Sequence, residues 1–73
     1  MVTIYGTPNC RYCSMSKQFL NAKGVPFEYV DISLMSDRVA LEVKLGATVR
    51  SVPQIFIDDV HLPKGYAELV ELY

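Results

Sequence analysis

Between residues 2 and 20 the hydrophobic period of this chain switches once, from about 2 to about 3.6, and that switch limits the folds open to it. Val2 to Gly6 (VTIYG) alternates and is rich in β-branched and aromatic residues, as a short strand is. Thr7, Pro8 and Asn9 supply the turn chemistry that ends it. From Arg11 the pattern is helical, with Tyr12, Met15, Ser16, Phe19 and Leu20 on one face. Gly24 followed by Pro26 predicts a left-handed cap and then a stop. Phe27 to Ile32 reads as a second strand. Strand, helix and strand in that order predict two parallel strands joined by a right-handed crossover.

The next segment carries two patterns. Val39, Leu41, Val43 and Leu45 alternate as a strand does, but Ala40, Glu42 and Lys44 between them favour helix. Ser36 and Asp37 offer an N-cap, Leu41 and Leu45 are one turn apart, and Gly46 closes the segment, so Arg38 to Leu45 is assigned to a helix. Gln54 to Ile57 is a compact apolar strand, Asp58-Asp59 a tight turn, and Val60 to Leu62 the returning strand. Pro63, Lys64 and Gly65 break the chain before a final helix carrying Tyr66, Leu69, Val70 and Tyr73. The expected fold class is α/β: a four-stranded mixed sheet flanked by three helices in the order β-α-β-α-β-β-α. With no repeat or linker, residues 1–73 are expected to form a single domain. Ligands in such sheets bind outside the carboxyl end of a strand, and Cys10 follows the first strand there.

Composition narrows the function classes. Of 73 residues, 51% are apolar, enough for a packed core and too many for a disordered tail. Seven basic and eight acidic residues leave a formal charge of −1 and no basic run, so nucleic acid is not an expected partner. The start lacks the charged end and apolar core of a signal peptide. No stretch approaches the roughly 20 apolar residues of a membrane span. The expectation is a cytoplasmic protein that binds no membrane, and with no clear apolar patch a monomer.

Cys10 and Cys13 are the chain's two cysteines, and both stand at the period switch. A staple, a metal clip and a reactive pair are the uses to weigh. A disulfide between them closes a very short loop, worth roughly 2 kcal/mol in chain entropy against about 3 for a fifteen-residue loop. A reducing compartment weakens the staple reading further. Structural zinc takes four ligands, and beyond the pair there is one histidine, His61, read as a solvent-facing hairpin residue. No metal site is therefore expected within one chain. An iron–sulfur cluster shared between two chains needs fewer ligands from each and stays open.

The reactive pair has a physical reason to sit at this position. A helix start presents unpaired N–H groups and the positive end of the macrodipole, which stabilise a thiolate, and Arg11 adds a nearby charge. Cys10 is thus expected to be the exposed nucleophile and Cys13, a turn later, the buried resolving thiol. Lowering a pKa from about 8.5 to about 6 raises the thiolate fraction at pH 7 roughly thirtyfold. The loss of intrinsic nucleophilicity takes back roughly tenfold. The larger gain is a better leaving group when Cys13 displaces Cys10.

Taken together, IYGTPNCRYC, FEYVDIS and GATVRSVPQIFIDDVHL resemble the glutaredoxins over nearly the whole chain, in particular the compact bacterial or phage type. The cysteine pair alone is weakly specific; joined to Val-Pro-Gln-Ile-Phe-Ile at this spacing it is strongly so. The resemblance implies a thioredoxin fold and a cis Val52–Pro53 peptide beside the cysteines, leaving the Val52 backbone free to pair with a peptide or glutathione. It implies glutathione contacts at Arg11, Tyr12, Arg50, Val52, Pro53, Lys64 and Gly65, with glutathione as reductant and no tightly bound cofactor. It also implies disulfide-containing protein clients, ribonucleotide reductase among them. Several positions depart from the family pattern: Arg11 replaces a proline, Thr7 a lysine, Lys64-Gly65 a Gly-Gly pair, and Ala67 an aspartate. These departures weaken the glutathione anchors and favour a rival, a redoxin recharged by thioredoxin reductase, although that subfamily's Trp-Ser-Gly-Phe stretch is missing. The rival from another class is the iron–sulfur carrier.

Overall fold

The computed structural model describes residues 1–73. Its elements are β1 (Val2–Gly6), α1 (Arg11–Lys23), β2 (Phe27–Asp31), α2 (Met35–Leu45), β3 (Gln54–Ile57), β4 (Val60–Leu62) and α3 (Tyr66–Leu72). The four strands form one mixed sheet in the order β2-β1-β3-β4. β1 runs parallel to β2, with Val2 opposite Phe27 and Gly6 opposite Asp31. It runs antiparallel to β3, with Ile4 opposite Ile55, and β3 turns back into β4. Asp58 and Asp59 both take positive φ, 49° and 67°, as a two-residue hairpin whose twist matches its strands requires.

The strand period sorts the core into two layers. Val2, Ile4, Ile55 and Leu62 face one side, where Leu20 of α1 and Leu69 of α3 close over them. Phe56 faces the other side and packs with Ile32, Leu41 of α2 and Val49, flanked by Tyr5 and Val30. Each fully buried aliphatic side chain contributes about 1.5–3 kcal/mol of transfer free energy. Both faces of the short sheet are therefore covered, as a parallel crossover demands.

Local signals place most boundaries. Gly24 and Gly46 end their helices in the left-handed conformation at φ 68° and 71°, as their sequence contexts predict. Four details differ from the sequence reading. α2 begins at Met35, with Leu34 as N-cap and no side-chain cap, so Ser36 and Asp37 lie inside its first turn. The reason is upstream: Asp31 Oδ1 accepts the Ser33 N–H at 2.8 Å, a tight turn that starts the helix early. Ile32 lies beyond β2 and is buried against α2. Tyr12 is 53% exposed while Cys13, Ser16 and Leu20 form the buried face of α1, so the apolar stripe is rotated by about one residue. His61 is half-buried, its Nε2 2.8 Å from Gln54 Oε1 and its ring against Phe56.

Candidate active site

Cys10 stands between the turn after β1 and the first residue of α1, and it is the N-cap of that helix. Its sulfur accepts the Cys13 N–H at 3.1 Å, and its carbonyl accepts the Ser14 N–H. No acidic residue stands in the first turn of α1 to offset the positive helix end. Cys10 and Cys13 are joined as a disulfide. Cys10 is half-exposed and Cys13 fully buried, the order expected of an attacking and a resolving thiol.

The loop before β3 delivers the opposite wall. The Val52–Pro53 peptide is cis, and the Val52 carbonyl oxygen lies 3.7 Å from Cys10 Sγ. α2 holds this loop at Val49 from two sides. Arg38 donates to the Val49 carbonyl at 3.0 Å, and Glu42 Oε2 accepts the Val49 N–H at 2.9 Å. The two side chains are one helical turn apart, so one face of α2 satisfies both backbone groups of a buried residue.

Two clefts flank Val52. The first, about 340 Å³, brings together Tyr12, Val52, Pro53, Lys64 and Gly65, five of the residues singled out in the sequence, with Ala67 also on its wall. The Tyr12 ring stacks near Tyr66 at 5.7 Å. Gly65 takes φ 58°, and a Cβ there would meet the Pro53 carbonyl at 3.3 Å, so glycine lets α3 approach the cis-proline loop. Glu68 Oε1, in the first turn of α3, accepts the Lys64 N–H at 3.2 Å and so ties that turn to the loop before it. The second cleft, about 310 Å³, lies across Val52 and is lined by Arg50, Arg38, Thr7 and Met35. Arg50 is thus separated from the Tyr12–Lys64 group, and Arg11 is exposed and lines neither cleft.

Sequence reasoning did not single out Gly6 or Tyr29. A Cβ at Gly6 would sit 2.6 Å from Cys13 Sγ and 2.5 Å from the Tyr29 hydroxyl. Tyr29 donates from that hydroxyl to the Thr7 carbonyl at 2.9 Å, tying β2 to the turn before Cys10. Lys17 Nζ lies 4.1 Å from the centre of its ring. Burial, and then the Asp31 carboxylate, push the Tyr29 phenol above its usual pKa, so the hydroxyl keeps its proton. A glycine inside a strand is the one available cue, since it marks a close approach.

The comparisons with known proteins agree with this geometry. The family model for glutaredoxin matches residues 2–62. A glutaredoxin of Vibrio cholerae is 37% identical over 67 residues, covering 84% of this chain and 77% of that protein. Glutaredoxin 1 of Francisella tularensis, solved with cacodylate, is 32% identical at a TM-score of 0.76, covering 96% of this chain and 87% of that one. A buckwheat glutaredoxin–glutathione complex is 26% identical at a TM-score of 0.75, covering 96% and 64%. The paired cysteines at a helix start, the thioredoxin fold and these matches lead to one conclusion: the chain belongs to the glutaredoxin family of thiol–disulfide oxidoreductases.

Proposed function

We propose that this redoxin is a glutathione-linked dithiol oxidoreductase acting through Cys10 and Cys13. The observation that carries the reading is Cys10 itself: half-exposed, at an uncompensated helix N-terminus, and beside the backbone of Val52, which lines an open cleft. In the reduced pair the Cys10 thiolate attacks one sulfur of a substrate disulfide, and the other leaves as a thiolate. Cys13, deprotonated, then attacks Cys10 Sγ. The substrate's second thiolate departs, and the Cys10–Cys13 disulfide remains. Two glutathione thiols reverse the oxidation, giving the dithiol and glutathione disulfide.

Glutathione fits the first cleft by chemistry. The free polar groups of the Val52 backbone pair with a peptide, Tyr12 and Pro53 form an apolar wall, and Lys64, beside Gly65, attracts a carboxylate. Arg50 across Val52 and Arg11 on the surface add positive charge around an anionic ligand. The buckwheat relative's complex with glutathione supports the assignment. Protein disulfides are the proposed clients, ribonucleotide reductase among them. The working unit is residues 1–73 as one monomeric domain in the cytoplasm, with no tightly bound cofactor. One observation favours a second reading, recharging by thioredoxin reductase: Ala67 offers the cleft no carboxylate for the glutathione amine.

The test supplies each reductant system separately to the oxidised protein, with a glutathionylated peptide as substrate. Wild type is expected to turn over with glutathione and its reductase. Cys10→Ser should fall to the uncatalysed rate, and Cys13→Ser should trap a mixed disulfide with a protein client. Full activity in Cys10→Ser overturns the mechanism. Turnover with thioredoxin reductase alone replaces the first reading with the second.

A further inference from the structure

Cys13 is fully buried, and reduction gives it an S–H, a weak donor that can reach only a neighbouring protein acceptor. What faces its sulfur over Gly6 is the Tyr29 hydroxyl: a Cβ built at Gly6 would lie 2.6 Å from Cys13 Sγ and 2.5 Å from that oxygen, so only the absence of a side chain there lets the two groups face each other. That hydroxyl spends its proton on the Thr7 carbonyl, so its lone pairs remain free to accept. Breaking the disulfide frees Cys13 Sγ from Cys10, and no side chain at Gly6 stands between it and the hydroxyl. Lys17, one turn after Cys13 on α1, covers the Tyr29 ring and fixes its position. We propose that Tyr29 is a positioning residue for the resolving thiol: its hydroxyl accepts the Cys13 S–H in the reduced protein and so favours the dithiol over the disulfide. Gly6 is the opening through which the two groups meet. The inference rests on the dithiol reading of Cys10 and Cys13.

The test is an equilibrium titration of the Cys10–Cys13 pair in dithiothreitol redox buffers, read by thiol alkylation, for wild type and Tyr29→Phe. Urea unfolding of each protein in both redox states accompanies it. The bond exists only in the reduced form, so Tyr29→Phe is expected to shift the redox equilibrium about two- to tenfold toward the disulfide. A tenfold shift is about 30 mV more negative. By the same factor, the reduced form must lose more stability than the oxidised form. A structural role through Thr7 alone weakens both forms equally and leaves the potential unchanged, and that result overturns the inference. A wild-type pair that does not titrate as one two-electron couple removes the dithiol reading first, and this inference with it. If Tyr29→Phe fails to fold, the Tyr29 ring ζ-carbon resonance of wild type decides. It is expected to move on reduction, and an identical shift in the two redox states overturns the proposal.

Discussion

A single methyl group at Gly6 has nowhere to go: Cys13 Sγ and the Tyr29 hydroxyl both stand closer than van der Waals contact, and Cys13 Cβ is only 3.1 Å away. The φ of Gly6 is not the constraint, since only Gly24, Gly46 and Gly65 are glycines at positive φ. Overpacking is. Gly6→Ala is expected to cost about 1–3 kcal/mol in urea unfolding, with the Tyr29–Thr7 bond the first contact to give way. Ser16 is the opposite case, a buried hydroxyl that fits because it donates to the Tyr12 carbonyl at 2.7 Å. Gly6 and Ser16 both lie in readable elements, yet neither constraint is local: each is set by what lies across the sheet or one turn back. The cysteine pair was legible because its chemistry is carried by residue type and spacing.

The elements divide by how strongly their ends are specified. α1 has a cap at each end, Cys10 and Gly24. α2 has a left-handed glycine at its end but starts at Leu34, 66% exposed with no cap bond. Leu34→Asp, in the extended backbone this position already adopts, is expected to raise stability by about 1 kcal/mol, read as a higher Tm. The face of α2 turned toward the Val52 loop matters more for activity. Glu42→Ala leaves the buried Val49 N–H unpaired and is expected to cost about 1–3 kcal/mol. Because the loop carries Val52, KM should rise more than kcat falls in the glutathione assay.

The β3–β4 hairpin is tied to α2 by Lys44, which donates to Asp59 Oδ1 at 2.8 Å and lies over the Phe56 ring. The hydrogen bond from Lys44, and then its charge, hold the Asp59 carboxyl below the usual carboxylate range. The same hydrogen bond raises Lys44 above the usual lysine value. A depressed carboxyl stabilises the fold above its unfolded pKa of about 3.9, and the benefit is lost as pH falls through the native value. A raised lysine stabilises below about 10.4, and its benefit is lost as pH rises through the native value. Asp59→Asn should therefore lower stability at pH 7 slightly, flatten the acid limb below about pH 4 and weaken the salt dependence, because an exposed pair is screened. Urea titrations across pH, with and without added salt, measure all three.

At the scale of the whole molecule, the fold joins two thin cores across one sheet, with α1 and α3 on one side and α2 on the other. Function follows from where the two meet: α1 delivers the cysteines and α2, through Val49, delivers the loop opposite them. Every element, the parallel β1–β2 pair and the β3–β4 hairpin are readable, because period, turn residues and helix caps are properties of short segments, whereas the antiparallel pairing of β1 with β3 joins distant segments and is not. The misplaced details were ones in which distant residues decide. α2 starts early because of Asp31, His61 is drawn inward by Gln54 and Phe56, and the α1 stripe is rotated toward the sheet it packs on. Of the site, the cysteines and the Val52–Pro53 block were visible as motifs, and the first cleft gathers five named residues. Arg50 instead lines the second cleft, and Arg11 is exposed and lines neither.

The element order, the glycine helix ends and the position of a thiol pair at a helix start are all legible in the order of the amino acids. These depend on conformational preferences acting over a few residues. The atoms that surround that pair come from packing between distant segments. The Val52 carbonyl approaches from 42 residues away, and the Tyr29 hydroxyl from across Gly6. Such contacts are fixed by how the two cores close on the sheet, and no local preference encodes that closure.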